Sequence, residues 1–243
     1  MTRELIELTR EELAEIAGGA VLLLPFGAVE QHGPHLPFGT DLTAVDTISR
    51  RAAERVGRDV PVVRAPALPY GSSHHHLEVG GALSLTADAF AACARDLLRS
   101  AAASGFRRAF VLNGHGGNEL LLRVAAAGSG LDVGGGSYWT LAAIELEQMM
   151  PPAPVPGHAG RFETSLALAL AAPETLTAPE RRAWEPPAET PYWTEDPGWW
   201  RRIDGYTDNP ADGGADEGAA FLDAIVGAVA AAIVDFHQAT AAR

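Results

Sequence analysis

The sequence predicts an α/β fold: a largely parallel central sheet covered by helices on each face. Two observations carry this. Short runs that are apolar on both faces recur along the chain, the pattern of strands buried in the middle of a parallel sheet. Between them lie Ala-rich stretches with helical spacing, so strand and helix alternate.

The first such run is Ala20-Val21-Leu22-Leu23-Leu24-Pro25-Phe26, followed by Val60-Pro61-Val62-Val63 and Ala109-Phe110-Val111-Leu112. Helical spacing covers residues 44–56 and 87–104, where Leu97 and Leu98 follow Phe90 by two turns and Ser104-Gly105 supplies a stop. Glu163 falls in the first turn of a further apolar helix over 166–170. Residues 216–241 carry Leu222, Val226, Val229 and Ile233 at three- and four-residue steps, an amphipathic helix docked on the core. Asp223 and Asp235 flank its apolar centre, which argues against a membrane role. From 173 to 214 the texture changes to Pro, Glu, Asp and Trp, with Trp184, Trp193, Trp199 and Trp200. We read this as an irregular excursion covering a surface, a pocket or a subunit contact. No linker interrupts residues 1–243, so one catalytic domain is expected.

Composition narrows the function. The chain has 243 residues, 47% apolar and 20% charged, enough to bury a sizeable core. A net charge of −13 without any basic run excludes nucleic acid as an expected partner. Cys93 is the only cysteine, which rules out an intrachain disulfide and thiolate clusters; in its Ala-rich helix it reads as a buried, inert thiol. No uninterrupted apolar run reaches about 18 residues, so no membrane span is expected. The acidic start, Met1 to Glu7, is not a signal peptide, and the expected location is the cytoplasm.

Three loops that begin where strands end carry the chemistry. The first is Gly27-Ala28-Val29-Glu30-Gln31-His32-Gly33-Pro34-His35-Leu36-Pro37-Phe38-Gly39-Thr40-Asp41. Glu30 and His32 are two apart, so in extended chain they face the same way, and Asp41 returns after a turn-rich passage. The second is Asn113-Gly114-His115-Gly116-Gly117-Asn118, where glycines let the backbone approach a ligand. A Gly-rich turn can also cradle phosphate, but the Lys of a P-loop and the dinucleotide spacing are both missing. The third is Gly157-His158-Ala159-Gly160-Arg161-Phe162-Glu163-Thr164-Ser165. Carboxylates with imidazoles suit Zn²⁺, Mn²⁺ or Fe²⁺, so a metal site is expected. In His74-His75-His76, His76 is expected near a pocket rim and the other two in solvent. His35 is expected to support the first loop by hydrogen bonding.

At these three motifs the sequence resembles the creatininase (creatinine amidohydrolase) family. Ser137-Tyr138-Trp139 and Gly80-Gly81-Ala82-Leu83-Ser84-Leu85 have counterparts there too. The resemblance implies a three-layer α/β/α sandwich and a homo-oligomer, hexamer-like in the family. It also implies two divalent ions, with Zn²⁺ the first choice and Mn²⁺ or Fe²⁺ as alternatives. Glu30 and His115 would ligate one ion and His32 the other, with Asp41 bridging. Gly117 stands where creatininase carries a Glu ligand, so Glu163 becomes the candidate carboxylate. Gly116 stands where creatininase carries a Tyr near its substrate. Branches with the Asn-Gly-His-Gly-Gly-Asn form include formamide hydrolases and the peptidase of mycofactocin maturation. The expected activity is therefore metal-assisted hydrolysis of a C–N bond in a small amide or short modified peptide. His158 is the expected proton shuttle, and Trp139, His76 and Gly116 the expected substrate contacts. A metal-binding scaffold without turnover is the alternative.

Overall fold

The computed structural model describes residues 2–57, 60–150, 155–170, 179, 196 and 198–241. Trp184 and Trp193, with most of the Pro-rich stretch, lie outside the described residues.

Five parallel strands form one sheet in the order β1-β3-β2-β4-β5. They are β1 (Thr2–Glu4), β2 (Val21–Phe26), β3 (Val62–Arg64), β4 (Arg108–Asn113) and β5 (Asp132–Ser137). The central pair, β2 and β4, is buried along its whole length, as the two-faced apolar runs predict. The side-chain period of two divides each strand between two cores. Val21, Leu23, Phe110 and Leu112 face one side, and Leu22, Leu24, Phe26, Ala109 and Val111 the other.

Against the second face pack α1 (Arg10–Ile16), α3 (Ala87–Ala103) and α4 (Glu119–Ala126). On the first lie α2 (Thr40–Val56), α5 (Tyr138–Leu141), α6 (Ala143–Met149), α7 (Arg161–Ala169) and α9 (Ala215–Ala241). This is a three-layer α/β/α arrangement. By length and composition α9 could cross a membrane, yet it is a core helix here. Phe221, Ile225, Val229 and Ile233 are each 0% exposed and pack on α2 and α7. Burying each contributes about 1.5–3 kcal/mol.

Two strands escape the sequence reading. β5 contains Gly134, Gly135 and Gly136, which erase the apolar signature, and β1 is a short polar edge strand, Thr2-Arg3-Glu4. The first helix starts at Arg10, where Thr9 and Glu12 form a capping box. Helix α2 starts four residues early, at Thr40 rather than 44, placing Asp41 in its first turn. The described end of the Pro/Trp-rich excursion is not wholly irregular. It forms α8 (Trp199–Arg202) and a 3-10 turn at Pro210–Asp212. Cys93 is half-buried on α3.

Chain leaving β2 turns to α2 on one face, while chain leaving β4 turns to α4 on the other. Their carboxyl ends therefore diverge, and the crevice between them is the place where open α/β sheets carry their sites.

Candidate metal centre

The loop after β2 is held open by backbone bonds from Glu30 N to Phe38 O (3.0 Å) and from Gln31 N to Gly81 O (2.7 Å). These direct Glu30 and His32 inward; they are 1% and 0% exposed. The His32 ring donates from Nδ1 to Glu30 O (3.1 Å), which leaves Nε2 facing Asp41 Oδ1 at 3.1 Å. Asp41 projects from the first turn of α2, where the helix dipole favours a negative charge.

His115 arrives from β4. Gly114 runs so close to α2 that a Cβ there would lie 2.7 Å from Val45 Cβ. The two asparagines of the motif are clamps. Asn113 accepts from His115 N (3.2 Å) and donates to His115 O (2.7 Å). Asn118 accepts from Ser72 N (2.9 Å) and donates to Gly27 O (3.1 Å), tying three loops together. His115 Nε2 donates to Ser72 O (3.1 Å), leaving Nδ1 at 3.2 Å from both Glu30 Oε1 and Asp41 Oδ2.

From α7, Glu163 brings Oε2 to 3.8 Å from His32 Nε2 and accepts the Ala159 N–H at 2.5 Å. Ala159 is fully buried with φ 49°, a left-handed conformation uncommon for alanine that aims its N–H at the carboxylate. His158 donates from Nε2 to Gln31 O (2.9 Å), which leaves Nδ1 at 3.8 Å from Glu30 Oε1. Thus His32, His115 and His158 each spend one ring nitrogen on a backbone carbonyl and turn the other toward carboxylates. That is how proteins orient imidazole ligands.

The sequence expectations for the histidine run need correction. His74 is exposed, but His75 is half-buried and stacked over His115, with ring centroids 5.6 Å apart. His76 is not at a rim. It is 1% exposed, with Nε2 at 3.3 Å from Glu30 Oε1. The reason is local: His74–His76 form a 3-10 turn, whose three residues per turn point successive side chains about 120° apart. Two of the three can then face inward. The indole lying on the cluster is Trp200 of α8, at 4.3 Å from His76 and 5.0 Å from His158. Trp139 instead packs edge-on against Tyr138 at 4.9 Å, beside the α2/α9 core. Gly116 is exposed, with no atom of the described residues within 4 Å of where a Cβ would stand. His35 reaches Thr164 Oγ1 (3.0 Å), joining the first loop to α7. Gln31, which no spacing argument singled out, contacts His76 Nδ1 at 3.0 Å and donates to Gly205 O.

Carboxylate charge sets the electrostatics. Burial opposes protonation of His32, but Asp41, Glu163 and Glu30 outweigh it and raise its pKa to about 10. His115 is likewise held well above the usual range against its burial, chiefly by Glu30 and Asp41. Burial lifts Glu163 to about 7, with the Asp41 and Glu30 charges adding and His32 opposing. Burial pushes His158 well below the ordinary imidazole range, so it stays neutral.

The donor set fits divalent cations. One ligand atom each from His32, Asp41 and Glu163 lie within 4.8 Å of one another, as do those of Glu30, His75 and His115, and of Glu30, His32 and His158. Asp41 lies between the first two groups, with Oδ1 near His32 and Oδ2 near His115. Glu30 Oε2 is buried without a hydrogen-bond partner among the described residues, and Asp41 Oδ2 meets only His115 Nδ1, at 3.2 Å and outside hydrogen-bond geometry. Such orphaned carboxylate oxygens are costly unless a cation meets them.

Comparison with known proteins supplies the family. The family profile described as "Creatininase: Creatinine amidohydrolase" matches residues 6–233. A mycofactocin precursor peptide peptidase of Mycobacterium tuberculosis is 34% identical over 168 residues, 64% of this chain and 61% of that relative. The chain thus spans about three fifths of the length of that curated relative. A creatinine amidohydrolase of Pseudomonas putida is 33% identical over 68% of this chain and 70% of its own length. Among solved structures, a manganese creatininase superposes with a TM-score of 0.80 at 27% identity, covering 97% of this chain and 98% of the other. A mutant creatininase of Zn-Zn type gives 0.77 over the same shares, also at 27% identity. From its sequence profile and its fold together, the chain belongs to the creatininase family.

Proposed function

We propose that this chain is a di-metal amidohydrolase that cleaves a C–N bond in a small amide, a formamide, a cyclic amide or a short modified peptide. One observation carries the reading: carboxylates and carbonyl-anchored imidazoles from separate loops meet around a buried carboxylate oxygen, Glu30 Oε2, that has no hydrogen-bond partner among the described residues. In this reading Glu30 and His115 would hold one ion and His32 and Glu163 the other, with Asp41 within reach of both. Three carboxylates offset three of the four positive charges. Bound ions of this kind supply an activated water and polarise the amide carbonyl.

The protein's own groups do the rest. His158, kept neutral by burial, accepts a proton at Nδ1 from the attacking water and returns it to the leaving nitrogen. Trp200 and buried His76 keep bulk solvent from that transfer. No described atom lies within 4 Å of where a Cβ on Gly116 would stand, so this exposed position beside His115 sets no limit on substrate size. The 34% identity to a mycofactocin precursor peptidase favours, as a second reading, maturation of a short modified peptide. The same reading makes the enzyme a cytoplasmic homo-oligomer.

The test is elemental analysis of the purified protein together with a hydrolysis screen of creatinine, lactams, formamides and short peptides. Two equivalents of divalent metal and amide turnover abolished by a chelator are expected. Bound metal with no turnover of any amide would make the protein a scaffold, and absence of metal would overturn the reading entirely.

A further inference from the structure

A second cleft opens on the sheet face opposite α2, between α4 and β5. It holds about 390 Å³, within the range of roughly 300–1,000 Å³ in which proteins bind small molecules. The cleft exists because the middle of β5 has no side chains. Gly135 must stay bare: its φ is +146°, and a Cβ there would stand 2.0 Å from Val111 O. The register of β4 and β5 gives the cleft two ends. Asn113 pairs with Ser137 at the carboxyl end, and Val111 with Gly135 two residues back. The first end is polar, with Glu119 beside Ser137 and Asn113. The second is apolar, walled by Val111, Val133 and Leu122. Arg123 stands one helical turn from Glu119 and 3.6 Å from its Oε1, too far for a hydrogen bond. The Arg123 side chain is 73% exposed, so Glu119 Oε1 meets only a loose ion pair.

We propose that this cleft binds a free α-amino acid with a branched aliphatic side chain, as an effector of the metal centre. The ammonium meets Glu119 Oε1, the carboxylate meets Arg123, and the side chain lies on Val111, Val133 and Leu122. A zwitterion inserted into a loose ion pair gives each charge a direct hydrogen-bonded partner and leaves the net charge unchanged. An alkylamine or an alkanoate would satisfy one member of the pair and not the other. The route to the metal centre is a chain of hydrogen bonds. Glu119 Oε2 accepts from Ser137 Oγ (3.0 Å), which accepts from Asn113 Nδ2 (2.9 Å). That same side chain clamps the backbone of His115, donating to its O at 2.7 Å and accepting from its N at 3.2 Å. An ammonium on Glu119 draws its charge away from Ser137, slackens the chain and loosens His115. Hydrolysis of a peptide-like amide releases a molecule of this class, so the cleft would report product. The binding site stands apart from the two-ion reading above; the coupling rests on it.

Isothermal titration calorimetry of the purified protein measures binding of L-leucine, glycine, isoamylamine and 4-methylpentanoate, with circular dichroism as the folding control for each variant. Leucine should bind saturably. Each of the others lacks one of its contacts and should bind at least about tenfold more weakly. Glu119→Gln keeps an acceptor for Ser137 but loses the charge, and Arg123→Ala removes the carboxylate partner. Each should weaken leucine binding at least about tenfold. Ala126→Phe fills the cleft from α4 and should abolish binding. Co²⁺ titration of the chelator-stripped chain should show metal held at least about fivefold more weakly when leucine is saturating. Ser137→Ala should lose that effect while still binding leucine. Absence of saturable leucine binding, or binding that survives Glu119→Gln, Arg123→Ala and Ala126→Phe alike, would overturn the site. Leucine bound with no change in Co²⁺ affinity would overturn the effector role. A wild-type chain that binds leucine but takes up no Co²⁺ would overturn the two-ion reading and the coupling, and would support the site.

Discussion

The side-chain amide of Gln31 donates a hydrogen bond to the carbonyl of Gly205, 2.9 Å away and 174 residues later in the chain. The contact fastens the segment after α8, and with it Trp200, to the loop that carries Glu30 and His32. The same amide meets His76 Nδ1 at 3.0 Å, while Gln31 Oε1 accepts from Gly33 N at 2.9 Å. With the amide donating to His76 Nδ1, the proton of that ring sits on Nε2, facing Glu30 Oε1.

A substitution at Gly205 should therefore be felt at the site. Its φ is +74°, and a Cβ there would lie 2.4 Å from Gln31 Oε1. Gly205→Ala must turn the glutamine away and release His76. Turnover should fall about 10–100-fold, the usual cost of losing a group that orients a site, with metal content unchanged. Steady-state kinetics alongside elemental analysis check this, and an unaltered kcat would show that Gln31 orients nothing that matters.

Metal uptake should release protons. The carboxylates raise His32 to about 10, so below that pH the ring holds a proton that a cation must displace. Apparent metal affinity should rise with pH between about 6 and 9. Calorimetry in buffers of different ionisation enthalpy would count the protons. The same group sets a stability trend in the metal-free protein. A histidine raised on folding stabilises below its unfolded pKa of about 6.5, and that contribution is lost as pH rises through about 10. The melting temperature of stripped protein should fall across pH 7–10, whereas protein loaded with metal should not show this fall. A flat profile for the stripped form would remove His32 from the linkage.

The central strands and the three histidine-bearing loops could be read from the chain because their signals are local. β2 and β4 are apolar on both faces, and Glu30, His32, Asp41, His115, His158 and Glu163 each sit in a motif beside a strand or helix end. What escaped depends on geometry that adjacent letters do not encode. Gly134 to Gly136 can be a strand only because β4 supplies a partner along its length. His75 and His76 turn inward because the backbone there takes a 3-10 rather than an extended path. Trp200 reaches His76 from a segment more than 120 residues downstream, and no spacing rule links the two; Trp139, in a family motif, drew attention instead.

Asn118 makes a prediction about stability rather than chemistry. It is 0% exposed and satisfies Ser72 N and Gly27 O, both from other loops. Asn118→Ala leaves a buried donor and acceptor unmatched, at a cost of about 2 kcal/mol or more. For a chain of this size that corresponds to a melting temperature lowered by roughly 4–8 °C. Because Ser72 O orients His115, metal should also be retained less tightly. Thermal denaturation of the variant measures the first effect and chelator competition the second. A variant as stable as wild type would mean that solvent replaces the clamp.

His158 offers the sharpest separation of binding from chemistry. Its Nε2 is anchored on Gln31 O and its Nδ1 stands 3.8 Å from Glu30 Oε1, farther than the 3.2 Å of His115. A proton carrier needs such a position, close to the cluster yet not required to complete it. His158→Ala should keep both ions and lower kcat by about 100–10,000-fold, the range general acid–base catalysis contributes. His32→Ala or Asp41→Ala should instead lose metal and turnover together while the chain stays folded. Parallel metal analysis and kinetics on the three variants decide the matter. If His158→Ala loses an ion as well, the ring belongs with the ligands and another group must move the proton.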